Sequence, residues 1–300
     1  ELLRSLIQAE ASGDQIGRLL TTVTDALTRQ LLKQAINKFG EPPVTFVWLA
    51  FGSQGRQDQT AISDQDNGLL ISDAMTSDDD EYFKSLANYV NEGLDFCGYC
   101  YCPGDVMAST DSWRQPLVSW KKQFLHWINQ PSPKALMHAS IFFDMRCIYG
   151  DEKLFNQLQE TVCNAASGNE IFLANLTANA LKLTPPMGFF KHFVVGRTGE
   201  HKNTFDMKLR GIMPINDIAR IYALSVGSNE IHTLDRLQDA VGRKLLTLKD
   251  SRNLIYAHEF ISRLRLEHQG ECLKQGQKPD NHLDPTKLSS LSRHQLRDAF

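Results

Sequence analysis

Two acidic residues, Asp64 and Asp66, follow closely after a glycine–serine pair at Gly52 and Ser53. Residues i and i+2 of an extended segment face the same side, so the two carboxylates are expected to project together. Adjacent carboxylates repel one another unless a cation neutralises them. Mg²⁺ suits such a pair because it prefers oxygen ligands and keeps positions open for phosphate and water. The spacing therefore predicts a magnesium site, with Mn²⁺ as the alternative ion.

The residues that precede the two acids suit a polyphosphate. Gly52 lets the backbone approach a phosphate without a side-chain clash, and Ser53 offers an amide and a hydroxyl to phosphate oxygens. Arg56 offers a planar cationic fork for a triphosphate, or it pairs instead with Asp58 or Asp64 and holds the loop. In a two-metal site, one ion activates the attacking oxygen and the other holds the triphosphate and the leaving pyrophosphate. The motif therefore favours nucleotide transfer.

The elements around this motif are predicted to form a small α/β unit preceded by a helix. The run from Val44 to Phe51 is short, apolar and rich in β-branched and aromatic residues, as is typical of a buried strand. The predicted elements of this unit are a helix with an apolar stripe over 16–36, strands over 44–51, 66–71 and about 99–107, and a helix over 77–96.

From residue 113 onward the pattern is mostly helical. The expected helices cover about 113–129, 133–148, 151–165, 169–183, 214–226, 230–242 and 247–268, with a candidate hairpin of 193–195 and 205–209 and a loop over 269–284 before a last helix. The predicted fold class is thus α+β. We expect an N-terminal helical segment over 1–40, a catalytic domain over 41–150 and a helical substrate-binding domain over 151–300.

The composition excludes several classes of protein. Of the 300 residues, 42% are hydrophobic and 22% charged, which is typical of a soluble globular protein, and the net charge of −3 argues against a nucleic-acid partner. There is no apolar run of about 20 residues for a membrane span and no visible signal peptide, so a cytoplasmic location is predicted. Cys97, Cys100 and Cys102 lack a second ligand pair, which favours packed thiols over zinc. The chain opens with Glu1 and not Met, so we expect further sequence upstream.

The motif resembles the nucleotidyltransferase superfamily of DNA polymerase β. Gly52-Ser53-Gln54-Gly55-Arg56, Asp58 and Ser63-Asp64-Gln65-Asp66 are similar to the nitrogen-signalling uridylyltransferases and glutamine-synthetase adenylyltransferases. A closer resemblance is to signal-transduction nucleotidyltransferases found after cyclic-nucleotide-binding and CBS domains. That family's blocks recur along nearly the whole chain, at Cys102–Ala108, Trp113-Arg114, Phe142–Arg146 with Gly150-Asp151, Pro186–Phe190, Asp206–Gly211 and Ile218–Leu224.

The resemblance implies a polymerase-β-like catalytic domain with a helical domain behind it. It implies Mg²⁺-dependent transfer of a nucleoside monophosphate from ATP or UTP to a hydroxyl of a protein or small molecule in signalling, with regulation by upstream CBS or cyclic-nucleotide-binding domains. The alternative is a catalytically weak nucleotide-binding regulatory module. A polymerase that extends nucleic acid is a third hypothesis, against which the mild acidity argues.

The resemblance also implies a third carboxylate on a later strand. Asp105, on or just after the third predicted strand, is the candidate for a third catalytic metal ligand. Asp144 is its rival, but it falls in a helical pattern and is expected to orient Arg146. Arg146 itself binds substrate or forms a structural ion pair, and Lys208 and Arg210 line a substrate groove or a solvated strand face.

Overall fold

The computed structural model describes residues 2–188 and 192–300, so Phe189 and Phe190 of the fourth family block lie outside the described residues. Most of the described residues are helical, which confirms the predicted α+β class. The helices are α1 (Leu2–Gln8), α2 (Gly13–Phe39), α3 (Gly52–Arg56), α4 (Asp80–Phe96), α5 (Leu117–Asn129), α6 (Pro133–Phe142), α7 (Glu152–Ser167), α8 (Glu170–Ala180), α9 (Met213–Ser225), α10 (Thr233–Gly242), α11 (Leu248–Lys274) and α12 (Ser290–Ala299). The strands are β1 (Phe46–Ala50), β2 (Asn67–Ile71), β3 (Arg114–Pro116), β4 (Arg146–Gly150), β5 (Phe205–Asp206) and β6 (His282–Leu283).

A four-stranded mixed sheet in the order β3-β2-β1-β4 forms the centre of the first half of the chain. β1 runs antiparallel to both β2 and β4, and β3 pairs with β2 in parallel. The register places Ala50, the last residue of β1, opposite Asn67, the first residue of β2. The chain therefore leaves β1 and enters β2 at the same edge of the sheet, where the glycine–serine pair and the two acids lie.

The sheet is buried on both faces. Val47 and Leu49 of β1 belong to a core shared with α5, α6, α7 and α8, whereas Trp48 and Ala50 belong to a core on the opposite face with α2 and α4. Because neither face meets water, the strand needs apolar residues at every position and not only at alternate ones. The uninterrupted apolar run that predicted β1 has this physical cause.

A second group of helices packs behind the sheet unit. Phe205 of β5 and Met207, which follows β5, are buried in a core. Residues of α9, α11 and α12 belong to the same core. α9 contacts α7 and α8 of the first unit, and α11 lies against α2. In the described ranges no helix is both long and apolar enough to cross a bilayer.

Two of the strand and helix predictions in the first half are wrong. Residues 99–107 do not form a strand, because Pro103-Gly104 begins a turn and Asp105 has a left-handed φ of 54°. The edge position belongs instead to the three-residue β3, which lies in the region predicted as the start of α5. The helix predicted over 133–148 ends at Phe142, and β4 takes up its last residues.

The predicted hairpin is also wrong. Phe193 makes only an isolated bridge, to Met187, and Phe205–Asp206 pairs with His282–Leu283. The strand Phe205–Asp206 thus pairs with a segment that was predicted as a loop and lies some 75 residues further on. Local sequence cannot indicate a pairing over such a distance. Residues Lys208–Ile212 then form a π-helical turn that leads into α9.

Candidate active site

A bend at Gly52 separates β1 from α3 and forms the base of the site. Gly52 has a φ of 54°, in the left-handed region that favours glycine. A Cβ atom added there would lie 2.9 Å from Oδ2 of Asp66. Glycine is therefore needed both for the backbone conformation and for the close approach of the Asp66 carboxylate. The Phe51 N–H also donates a hydrogen bond to the Asp66 carbonyl over 2.9 Å, which ties the bend to the acidic segment.

The carboxylates of Asp64 and Asp66 lie together beside this bend, as their spacing predicts. One ligand atom from each of Asp64, Asp66 and Cys102 lies within 4.8 Å of the others. Burial raises the pKa of Asp66 to about 6, and the neighbouring charge of Asp64 adds to the rise, while the Cys102 thiol and Lys208 act in the opposite direction. The first effect is the loss of hydration around the carboxylate, and the second is repulsion between the two negative charges.

Gln65, between the two acids, fixes the direction in which they point. It is buried, and its Nε2 donates to the carbonyls of Asn91 over 3.0 Å and of Tyr99 over 2.8 Å. Asn91 Nδ2 donates back to Gln65 Oε1 over 2.7 Å. Because successive side chains of an extended segment alternate in direction, anchoring Gln65 inward turns Asp64 and Asp66 to the other side. Both acids precede β2, which begins at Asn67.

A cavity of about 430 Å³ opens over the two acids. This volume is within the range of small-molecule sites. Its walls come from the motif, from the turn after α4, from the apolar residues of the α5–α6 region and from the second group of helices. They include Gly52, Ser53, Arg56, Asp64, Asp66, Cys102, Trp113, Met137, Ile141, Lys208, Asn216 and Arg220. The cavity thus combines acids, cations and an apolar surface between the two halves of the fold.

Arg56 is held inside the protein by two carboxylates. Its Nε and Nη2 donate to Asp58 over 2.9 and 3.2 Å, and its Nη1 donates to Asp144 over 2.7 Å. Of the alternatives open from the sequence, the structure has the pairing with Asp58 that holds the loop. Burial alone would lower the pKa of Arg56, but Asp58 and Asp144 raise it well above its usual value, so this side chain stays charged.

Asp144 is fully buried and accepts hydrogen bonds from three arginines. Besides Arg56, it binds Arg220 of α9 through both of its oxygens and Arg236 of α10 over 2.6 Å. Burial alone would raise the pKa of Asp144, but Arg220, Arg236 and Arg56 together hold it far below its usual value. The expectation that Asp144 orients Arg146 is therefore wrong, because three other arginines satisfy it.

The three candidate substrate-binding cations lie in different surroundings. Arg146 donates to Asp25 of α2 over 2.7 Å and to the Gln54 carbonyl over 2.9 Å, so the ion-pair alternative describes its contacts. Lys208 lines the cavity above the acids. Arg210 donates to the Thr184 carbonyl over 3.1 Å and is absent from the cavity wall.

Asp105 lies outside the cluster formed by the two acids. Its side chain is exposed at the turn where its φ is 54°, and its residue is absent from the cavity wall. Cys102, three residues earlier, contributes the third potential ligand instead. The role of Asp105 as a metal ligand thus stays a prediction that the geometry does not favour.

Sequence reasoning missed several residues of the site. Cys102 was treated as a packed thiol, although it stands in one of the family blocks. Arg220 also falls in such a block. It lies four residues after Asn216, so both side chains are on one side of α9, and both line the cavity. This spacing is the sequence feature that could have indicated them.

Two family models match the chain. "Putative nucleotidyltransferase DUF294" matches residues 1–134, and "Putative nucleotidyltransferase substrate binding domain" matches residues 170–300. Together they span most of the sequence and support a general nucleotidyltransferase role for the chain. The first range contains the Gly52–Ser53 bend and both acids, and the second contains Lys208 and Arg220. No curated protein shows significant sequence similarity to the chain. The predicted domain boundaries near residues 40 and 150 stay predictions.

Proposed function

We propose that this protein is a divalent-metal-dependent enzyme that transfers a nucleoside monophosphate from ATP or UTP to a hydroxyl group of a protein or small-molecule acceptor. The observation that carries the proposal is the placement of Asp64 and Asp66 together, beside the Gly52–Ser53 bend, at the floor of a nucleotide-sized cavity. The matches to the two nucleotidyltransferase family models support the same reaction class.

The donor set fits a divalent cation. Carboxylate oxygens of Asp64 and Asp66 lie within 4.8 Å of each other, and burial together with the neighbouring charge of Asp64 raises the pKa of Asp66. Asp64 and Asp66 would hold Mg²⁺, with Mn²⁺ as the alternative, because both ions accept oxygen ligands. When bound, the cation supplies charge neutralisation and polarisation at a phosphoryl group.

The remaining roles belong to the protein's own groups. Gly52 leaves the space beside the acids free of a side chain, so that a phosphate can approach the backbone. The Ser53 hydroxyl and the Lys208 ammonium group line the same cavity and can donate hydrogen bonds to phosphate oxygens. Trp113 and Ile141 supply an apolar surface of the kind that accepts a nucleobase. By the resemblance, the acceptor is a protein or small molecule in signalling, and upstream CBS or cyclic-nucleotide-binding domains regulate the enzyme.

Incubation with labelled ATP or UTP, Mg²⁺ and cell lysate tests the proposal. We expect label on an acceptor with the wild-type protein and its loss, by at least about 100-fold, in Asp64→Asn and Asp66→Asn. Asp105→Asn is the matched control, since it removes an exposed acid near the cluster, and it should keep the label. Circular dichroism shows whether each variant is folded. Label that persists in folded Asp64→Asn and Asp66→Asn would refute the assignment.

One observation favours the alternative of a nucleotide-binding module with little turnover. Within the described part of the chain, the third group beside Asp64 and Asp66 is a thiol and not a carboxylate. A site with two carboxylates offers fewer oxygen ligands to the cations than a site with the three carboxylates that the resemblance implies. Nucleotide binding with no label on any acceptor in the same experiment would support this alternative.

A further inference from the structure

Arg265 of α11 is a buried cation with no acidic partner among residues 2–188 and 192–300. Its side chain is almost fully buried, with 7% exposed. Its Nε donates to Asn281 Oδ1 over 2.6 Å, and its Nη2 lies 3.4 Å from Thr60 Oγ1, close to the limit of a hydrogen bond. Four buried arginines elsewhere in the fold are each paired with an aspartate, namely Arg56, Arg114, Arg220 and Arg236.

The surroundings of Arg265 therefore penalise its charge. Burial lowers its pKa to about 10, and the more distant Asp58 and Asp206 only partly offset this. A buried charge that lacks a counterion destabilises a fold, and such groups are found where a ligand supplies the missing charge. Asp58 makes no ion pair with Arg265; it binds Arg56 and accepts a hydrogen bond from Asn216.

Arg265 and Lys208 line the same small cleft. Lys208 likewise has no ion pair within the described ranges, and it belongs to the walls of both this cleft and the 430 Å³ cavity. Ser53, Arg56 and Asn216 are also shared by the two, and Asp58, Ser63 and Asn281 are the other polar residues of the cleft; the charge of Asp58 is offset by its ion pair with Arg56. The cleft holds about 30 Å³, the space of one water molecule, so it admits phosphate oxygens but not a nucleotide.

We propose that this cleft is the subsite for the terminal phosphate of the nucleoside triphosphate, and that Lys208 and Arg265 bind its oxygens. The proposal rests on the proposed function and names residues from the second half of the chain that hold the substrate. With the phosphate oxygens directed into the cleft, the rest of the nucleotide occupies the larger cavity beside Asp64 and Asp66. Ser53 and Ser63 of the motif line the same cleft, so their hydroxyls can donate hydrogen bonds to the phosphate.

This subsite distinguishes ligands by the length of their phosphate chain. A triphosphate reaches the two cations, whereas a nucleoside monophosphate bound in the same cavity leaves them without a counterion. Charge-assisted hydrogen bonds to a desolvated arginine are among the stronger polar interactions in proteins. The difference in affinity between the two ligands should therefore depend on Arg265 and Lys208.

Calorimetric binding in the presence of Mg²⁺ tests this with three probes: a non-hydrolysable ATP or UTP analogue, the matching monophosphate, and inorganic tripolyphosphate. We expect Arg265→Gln and Lys208→Gln to weaken the triphosphate analogue and tripolyphosphate by about 10-fold or more. Affinity for the monophosphate should stay within about twofold. Arg263→Gln is the matched control, since Arg263 lies two residues away on α11 with half of its side chain exposed, and it should behave as the wild type.

A second variant separates a lost subsite from a lost fold. Arg265→Lys keeps the charge and should keep most of the affinity for tripolyphosphate, and circular dichroism reports the folding of each variant. Unchanged triphosphate affinity in Arg265→Gln, or an equal loss for the monophosphate, would overturn the subsite. A wild type that binds the triphosphate tightly through Arg265 but transfers nothing would instead refute the proposed activity and leave the subsite standing.

Discussion

Cys102 adds a thiol to the two carboxylates of the candidate metal site. Burial raises its pKa to about 11, and the charge of Asp66 adds to the effect, so the metal-free protein carries a neutral thiol there at neutral pH. A thiol is a soft ligand, and its presence next to two carboxylates shifts preference from Mg²⁺ towards more thiophilic ions. The ion used by the protein should therefore depend on this one side chain.

Replacement of Cys102 by serine should change the metal preference. We expect Cd²⁺ to bind the wild type with a sulfur-to-metal charge-transfer absorption in the ultraviolet, and Cys102→Ser to lose that band and about tenfold in Cd²⁺ affinity. Mg²⁺ affinity should change little. Cys97→Ser removes an exposed thiol of the same stretch and should keep the band. An unchanged band in Cys102→Ser would place the thiol outside the metal site.

Local sequence could predict only those residues of the site that lie in one short segment of the chain. Gly52, Ser53, Asp64 and Asp66 lie within 15 residues, and strand alternation alone brings the acids together. Cys102 and Arg265 reach the site through packing of distant elements, and no local pattern carries that information. The resemblance implies a third carboxylate and so favours Asp105, whereas the structure has that side chain exposed at a left-handed turn.

Among the elements, α3 is held unusually close to the start of β4. A Cβ atom added at Gly55 would lie 1.9 Å from the Asp144 carbonyl oxygen. Gly55→Ala must therefore push α3 away from Asp144 and should lower the free energy of unfolding by about 3 kcal/mol. Urea denaturation measures this. Gly104→Ala is the control, because its nearest neighbour would lie 3.8 Å away. Equal stability of the two variants would contradict the close approach.

Asp144 joins three elements that the sequence separates widely. It accepts from Arg56 of α3, Arg220 of α9 and Arg236 of α10. Asp144→Asn leaves three buried cations with too little compensation and should cost about 3–5 kcal/mol in the free energy of unfolding. Asp111→Asn is the control, since Asp111 is largely exposed and its ion pair with Arg114 should contribute little to stability. Similar small losses in both variants would contradict this role.

Helices and strands could be predicted where burial imposes a recognisable pattern of apolar residues on the sequence. They could not be predicted where a strand exists only because it pairs with a distant segment. β1 could be predicted because a strand covered on both faces must be apolar throughout. β3 has three residues and no pattern of its own, since its position follows from the parallel pairing with β2. β5 and β6 likewise exist only through each other, and their two residues each are too few for alternation to show.

For the whole molecule, pH sensitivity follows from a histidine enclosed by the packing of α11. Both ring nitrogens of His258 lack a hydrogen-bond partner in the described structure, and burial lowers its pKa to about 4, a change that Asp58 only partly offsets. Between the unfolded pKa of about 6.5 and the folded pKa, the unfolded chain binds the additional proton. Stability is therefore greatest above pH 6.5 and falls as the pH drops towards 4.

The free energy of unfolding should decrease by about 3 kcal/mol over this range because of His258 alone. In His258→Leu, which has no titrating ring, the total decrease over this pH range should be smaller by that amount, and the slope should be correspondingly shallower. His294→Leu is the matched control, because His294 is mostly exposed and its replacement should leave the slope unchanged. Denaturant titrations at several pH values supply the measurement. An identical slope in His258→Leu and the wild type would contradict the assignment.

The 27-residue helix α2, about 40 Å long, spans both halves of the molecule. It packs on α4 and on α11, its Asp25 binds Arg146 of the sheet, and its Arg18 pairs with Asp235 of α10. Because α2 contacts both halves, we expect the two walls of the cavity above the acids to keep their relative position. Substrate should accordingly enter and leave through the existing mouth, and X-ray scattering should give the same radius of gyration with and without nucleotide.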